Sequence, residues 1–397
     1  MLIFGPKLIF MDFLFLANIL FALVALVFAL QNNNYLKNIY GLLLLNLFLI
    51  AYSLIISLIY SFDSVQATIE YIKLFVYTLS VFTIVKLYKQ YYKNLFLEAI
   101  FKHLYFAILI VMFTVLIMFL SPNVRDFLLP LLDMKMADML AVKHGIRYID
   151  ISVGAGTTLS LVFFVGFVLS IHLLKEKIIH NIFYSIMPYL FIFASLLVGR
   201  TGFILIILYG IYILLSNSII SLKITKLQIY NLIALLLITS LLVYILSEYT
   251  FIIEKILPWA LEFVFSYFES GTIATASTNN LMNDHYHFNF EALEFVFGKN
   301  DFTASTDVGY LILLYTNGLV GLITVIAWYF ILYKKASYNR SFPNTLSSFQ
   351  KLPLLLFTII VIVNFKELVF TNSRGLFLIV LLISLAFYEQ SKTRRVR

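Results

Sequence analysis

Residues 8–30 read LIFMDFLFLANILFALVALVFAL, a run of 23 residues with a single ionisable side chain, Asp12. A bilayer hydrocarbon core of roughly 30 Å needs about 20 apolar helical residues. The run has that length, and its apolar residues do not gather on one 3.6-residue stripe, so every side of this helix faces an apolar medium. Met1–Lys7 is scarcely basic and the run is too long for a signal-peptide core, so it reads as a span rather than a cleaved leader. Ten further runs of the same kind follow at 39–61, 71–88, 100–120, 152–174, 182–199, 202–220, 228–246, 308–333, 352–370 and 374–390.

Composition carries the same message over the whole chain. Of 397 residues, 62% are hydrophobic and 12% charged, against about 45–50% and about 25% in soluble domains. Too few ionisable groups remain to coat a soluble protein, so lipid solvates most of the surface. The predicted fold class is an all-α polytopic integral membrane protein with about eleven transmembrane helices and one large periplasmic loop. A soluble enzyme, a disordered chain and a disulfide scaffold are excluded. The net charge of +8 does not indicate nucleic acid, because the bases sit in short clusters between apolar runs and form no continuous face. The absence of cysteine excludes thiolate metal sites and cysteine nucleophiles.

The charges sort by side. Seventeen of the 28 Lys and Arg residues fall in the loops after spans 1, 3, 5, 7 and 9, at the adjoining span ends (Lys86 and Lys102) and in the C-terminal tail, and that side has only three acids, Glu98, Glu176 and Glu389. The positive-inside rule makes that side cytoplasmic, with the tail Lys392–Arg397 inside and the N-terminus outside. The organisation is then residues 1–246 with eight spans and a first periplasmic loop at 121–150, a large periplasmic loop at 247–306, and residues 307–397 with three spans and a basic tail. Within the large loop, Phe251–Phe268 reads as an interfacial helix, Thr272–Asn283 as a polar stretch, and Asp284–Phe290 as a histidine-bearing segment. No two-halves repeat typical of secondary transporters is found.

Mid-span ionisable residues are scarce. Asp12 and His172 lie near span ends, and His172, preceding Lys175 and Lys177, reads as an inner-interface residue. The outer face is different, because it carries bases where the positive-inside rule disfavours them: Arg147, Arg200, Lys366 and Arg374. Snorkelling to headgroups or pairing with local acids accounts for some of these. Arg200 ends the sixth span in a tight Gly199-Arg200-Thr201-Gly202 turn with no acid nearby in sequence, and two glycines there would let a ligand approach the backbone. A planar guanidinium at headgroup depth suits a phosphate or pyrophosphate. The large loop supplies acids, and Asp284-His285-Tyr286-His287 offers two imidazoles as a loop surface, a weak metal site or a general base. Asp307 stands at the start of a span, where an acid caps a helix and also faces the outer interface. Neither an Asp-x-Asp pair nor a phosphate-binding glycine loop nor a dinucleotide fingerprint is present, and no metal or cofactor is assigned. Gly154-Ala155-Gly156 reads as helix packing.

These stretches together resemble the O-antigen polymerase family (Wzy) and the related O-antigen ligases. The resemblance rests on Val198-Gly199-Arg200-Thr201-Gly202-Phe203, on Phe297-Gly298-Lys299-Asn300, and on Thr306-Asp307 through Gly309-Tyr310 to Asn317-Gly318-Leu319-Val320-Gly321-Leu322. His144-Gly145-Ile146-Arg147-Tyr148 and Phe365-Lys366-Glu367 add to it. It covers the whole topology, through short and degenerate motifs. It implies a nucleotide-independent glycosyltransferase at the periplasmic face of a bacterial inner membrane. Its substrate would be an oligosaccharide on undecaprenyl pyrophosphate, with a chain-length regulator as a possible partner besides the bilayer. Under that resemblance Arg147, Arg200, Lys366 and Arg374 would hold pyrophosphate, and Asp307, His285 or His287 would deprotonate the acceptor hydroxyl. The family's ligases carry a histidine in the large loop, which His285 or His287 matches. The alternatives are a ligase acting on lipid A core, a flippase or transporter of lipid-linked sugars, and a partner-docking role for the large loop.

Overall fold

The computed structural model describes residues 3–32, 34–60, 65–134, 136–143, 148–152, 156–179, 182–220, 258, 262–271, 279–286, 288, 290–300, 306–337, 348–371 and 375–393. Among these it is almost wholly helical. The exception is a hairpin of two-residue strands, Lys7–Leu8 paired with Met11–Asp12. Asp12 then caps the first helix, accepting from the Phe15 N–H at 3.1 Å. Among the described residues five apolar helical stretches are long enough to cross a membrane: Phe13–Gln31, Tyr40–Ile59, Gln66–Leu120, Gly156–Lys175 and Gly309–Ser337. This is a helical membrane protein.

The chain divides into two compact units. The first, Met1–Leu104 with Ala276–Arg397, contains α1 (Phe13–Gln31), α2 (Tyr40–Ile59) and α3 (Gln66–Tyr92). At Lys93, whose φ is +52°, the chain leaves α3 and re-enters a helix as α4 (Phe96–Leu120), which runs on into the second unit. That second unit, Tyr105–Thr275, holds α5 (Pro122–Leu128), α6 (Met136–Lys143), α7 (Gly156–Lys175), α8 (Ile182–Val198), α9 (Arg200–Ile220) and α10 (Glu262–Ser270). The chain then returns to the first unit with α11 (Ala292–Phe297), α12 (Gly309–Ser337), α13 (Leu352–Val363) and α14 (Leu376–Thr393).

In the first unit α3 is the central helix, packed against α1, α2 and α14, while α12 packs on α2, α11, α13 and α14. Helices in lipid gain little from apolar contact alone, and buried polar pairs supply the adhesion. Ser80 donates to Asn18 Oδ1 (2.7 Å), Asn46 Nδ2 donates to Thr78 Oγ1 (3.1 Å), and the Ser53 and Thr68 hydroxyls meet at 2.9 Å. Asn317 Nδ2 donates to Tyr71 Oη (2.5 Å) and ties α12 to α3. At the opposite end of this bundle the buried Glu389 carboxylate receives Lys86 (3.0 Å), Lys89 (2.9 Å) and Asn38 Nδ2 (2.8 Å).

Helices occupy ten of the eleven apolar runs, and the run 228–246 lies outside the described residues. One boundary needs correction. The run 352–370 is helical only over Leu352–Val363, about 18 Å at 1.5 Å per residue and too short to span by itself. Asn364 ends the helix. Its Oδ1 accepts the N–H groups of Val369 and Phe370 (2.9 and 3.3 Å), folding Phe365–Leu368 into a turn. Phe370 is buried all the same, against Tyr310 and Tyr329. An apolar run reports burial but cannot separate a helix from a buried turn. Of the expected interfacial helix 251–268, the described helical stretch is α10, which begins at Glu262.

Candidate active site on the first unit

The ends of α2 and α13 and the starts of α3, α12 and α14 lie at one end of the first bundle. Two loop segments fold over that end. Leu281–His285 forms one π-helical turn, and Leu281, Tyr286 and Phe290 pack on a buried cluster of Val308, Leu311, Leu314 and Tyr315 at the start of α12. This packing brings together His285 and Asp307, which lie 22 residues apart.

The pairing is specific. The Asp307 backbone N–H donates to His285 Nδ1 (3.2 Å), Thr306 Oγ1 donates to the His285 carbonyl (2.7 Å), and His285 Nε2 stands 3.8 Å from Asp307 Oδ2. In this arrangement Nδ1 of the imidazole serves as a hydrogen-bond acceptor for the backbone. That nitrogen is thereby engaged with the Asp307 amide. The Asp307 side chain is 76% exposed and supplies the accessible basic oxygen. The two candidates thus differ in role: His285 holds the backbone and Asp307 presents the carboxylate. Asp307 is also not the cap expected from sequence. The helix α12 begins at Gly309 with Val308 as its flanking residue, whose carbonyl accepts from the Ile312 N–H (2.9 Å), while the Thr306 hydroxyl accepts from the Val308 N–H (3.1 Å) in a local turn.

Lys366 lies in the Asn364 turn at the same end. Tyr286 Oη donates to the Phe365 carbonyl (2.6 Å), and the Tyr310 N–H, one of the orphan donors of α12, reaches the Asn364 carbonyl (3.2 Å). Partial burial pushes the Tyr286 phenol above its ordinary value, so it remains a donor. His285, Asp307 and the turn bearing Lys366 therefore belong to one cluster.

Two of the motif stretches meet here. Inside α12, Gly318 has φ +61° and ψ −167°, a conformation essentially restricted to glycine. Helical pairing fails there, and the Tyr315 and Thr316 carbonyls accept instead from the Lys299 and Asn300 N–H groups (2.9 and 3.0 Å). Gly298 packs directly on Asn317 and Gly318, and a Cβ on either glycine would overlap the other strand of chain. Phe290 stacks on Tyr315 (4.2 Å between centroids), and Lys299 Nζ sits 5.1 Å above the same ring. Sequence alone showed the two Gly motifs but not that each is the other's packing partner.

Arg200 belongs to the second unit and requires a correction. It opens α9 rather than sitting in a tight turn, and its NH1 lies 2.6 Å from Glu262 Oε2 of α10. The arginine side chain is 12% exposed. A cation at a helix N-terminus opposes the helix dipole, and the Glu262 carboxylate offsets that. The neighbouring glycines serve helix packing and not ligand approach: a Cβ at Gly199 would strike the Gly156 carbonyl, and one at Gly202 the Ser160 carbonyl. The Gly202 N–H also donates to Ser160 Oγ (3.0 Å). Arg125, not singled out by sequence, interacts with Tyr148 and pairs with Asp126 at 3.2 Å. Burial raises the Tyr148 phenol, while Arg125 draws it down. His172, at the end of α7, hydrogen-bonds Tyr209 Oη through Nε2 (2.8 Å).

Arg147, His287 and Arg374 lie outside the described residues. Among the described residues no group of three or more His, Asp or Glu side chains is placed to hold a metal ion. The chain matches no protein-family model, no curated protein and no solved structure.

Proposed function

We propose that this protein is a membrane glycosyltransferase of the O-antigen polymerase kind. It joins oligosaccharide repeat units carried on undecaprenyl pyrophosphate at the periplasmic face of a bacterial inner membrane. The observation that supports this reading is the exposed Asp307 carboxylate, held beside His285 at the end of a membrane bundle. The Asp307 carboxylate accepts the proton of an acceptor sugar hydroxyl. The freed oxygen attacks the anomeric carbon of the donor, and the carbon–oxygen bond to pyrophosphate breaks. The departing lipid pyrophosphate leaves with the bonding pair, and a cation stabilises it. Lys366 is the candidate cation of the first unit, carried on the turn that Tyr286 ties to the His285 segment. The donor brings its own leaving group, which accounts for the lack of a nucleotide-binding motif.

A second reading is the ligase, in which the acceptor is lipid A core, and the engagement of the loop histidine His285 with Asp307 favours it. One experiment separates the two. Purified protein in proteoliposomes is given a synthetic lipid-linked repeat unit without nucleotide. A ladder of products that Asp307→Asn abolishes supports the polymerase. Product formed only when lipid A core is added supports the ligase, and no product under either condition refutes both.

A further inference from the structure

The segment from Leu281 to Phe297 has two unlike faces. Leu281, Tyr286 and Phe290 pack inward on α12. Met282, Phe288, Leu293, Val296 and Phe297 are exposed, Leu293 at 73% and Phe288 at 68%. So large an apolar surface on a loop implies an apolar neighbour.

Three contacts set the height of this segment on the bundle. The Phe297 carbonyl accepts from Tyr52 Oη (3.0 Å), and Tyr52 lies seven residues inside the end of α2 at Ile59, about 10 Å along the axis. Gly298 packs on Asn317 and Gly318, eight and nine residues inside the start of α12, about 12 Å by the same rise. Asn317 bonds Tyr71, five residues inside the start of α3, about 7.5 Å. Helix α2 has 20 residues, about 30 Å and so one hydrocarbon thickness. The level of Phe297 therefore falls within a leaflet and not above it. The Glu70–Lys73 ion pair (2.7 Å), one turn of α3 around Tyr71, places the same level close to the headgroups. The exposed face also continues a lipid-facing one: Phe48 and Tyr52 of α2 stack at 5.7 Å, and Phe48, Ile55 and Ile59 on that side of α2 are exposed.

We propose that the described residues 281–286, 288 and 290–297 lie in the plane of the bilayer interface, with Met282, Phe288, Leu293, Val296 and Phe297 sunk among the acyl chains of the leaflet at the α2 C-terminal end. The segment is a membrane anchor for the loop that carries His285. The placement is independent of the transferase reading. It holds the Asp307–His285 pair at the height where the polar head of any lipid-borne substrate is presented.

The chain has no cysteine, so single nitroxide labels can be placed at will. Phe288→Cys, Leu293→Cys and Val296→Cys are labelled in proteoliposomes of phosphatidylethanolamine and phosphatidylglycerol, with Phe48→Cys as the lipid reference and Asp307→Cys as the aqueous one. Collision with oxygen and with a water-soluble nickel chelate is measured by power saturation. Labels at 288, 293 and 296 are expected to match position 48, with high oxygen and low nickel access. Nickel access equal to that at position 307 overturns the proposal in favour of an aqueous surface. Low access to both relaxants overturns it in favour of a protein partner or second copy. In a second measurement, fluorescence of Leu293→Trp should be quenched by brominated lipid and not by acrylamide; the reverse pattern refutes the placement.

Discussion

Replacing His285 by asparagine separates a positioning histidine from a proton-carrying one. In the structure the imidazole acts as an acceptor. Its Nδ1 takes the Asp307 backbone N–H at 3.2 Å, while Nε2 stays 3.8 Å from the carboxylate, beyond hydrogen-bond distance. Asparagine Oδ1 can take the place of Nδ1, so His285→Asn keeps the acceptor, whereas His285→Ala removes it. A single hydrogen bond of this kind contributes about 0.5–1.5 kcal/mol. At about 1.4 kcal/mol per tenfold in rate, His285→Ala then loses up to roughly tenfold through misplacement of Asp307. Asp307→Asn removes the base itself and is expected to lose about 10²–10⁴-fold. The expected order of damage is Asp307→Asn first, His285→Ala well behind, and His285→Asn close to the parent. The assay is turnover of a lipid-linked repeat unit in proteoliposomes, with polysaccharide chain length in cells as a second readout. If His285→Asn is as inactive as Asp307→Asn, the histidine carries a proton and the positioning argument is wrong.

Three other substitutions test the frame of the protein. Glu389→Gln keeps the contact to Asn38 but leaves Lys86 and Lys89 facing a neutral group. Breaking a buried pair costs about 3–5 kcal/mol, and because both lysines are partly exposed and can turn to water the expected loss is about 2–3 kcal/mol. Thermal denaturation in detergent reads it, and an unchanged midpoint would show that the cluster does not hold α3 to α14. Gly318→Ala forces a side chain into φ +61° and against the α11 chain. A loss of about 3 kcal/mol or more follows from strain and overlap together, and a parent-like denaturation midpoint would contradict the packing of Gly298 on Gly318. Glu262→Gln removes the charge opposed to Arg200. If Arg200 receives an anion, calorimetric titration with inorganic pyrophosphate should show several-fold tighter binding in this variant; equal or weaker binding marks the ion pair as structural.

The apolar helical class was legible because its cause is local. A helix in lipid must be apolar on every side for about 20 residues, and among the described residues five such stretches are long enough to cross a membrane while other apolar runs hold shorter helices. The exception within them is instructive. Leu368–Phe370 is as apolar as a span, yet it lies in a turn, because the Asn364 side chain captures two backbone amides. Hydropathy does not record that capture. The site was half legible. Asp307, His285 and Arg200 stood out by residue type in a chain with few charges. Their roles did not, because a role depends on which neighbour holds each polar atom.

Sequence alone determined the solvent of this protein, its helical class and a short roster of candidate ionisable groups. Those are sums over residues, and each residue contributes whatever its distant neighbours do. Tertiary structure decided that His285 supports Asp307 across 22 residues, that Glu262 answers Arg200 across 62, and that Gly298 seats on Gly318. Each is a contact between segments remote in the chain, set by how helices pack and where a helix breaks. No local pattern encodes which remote atom fills a hydrogen bond or a gap left by a missing side chain.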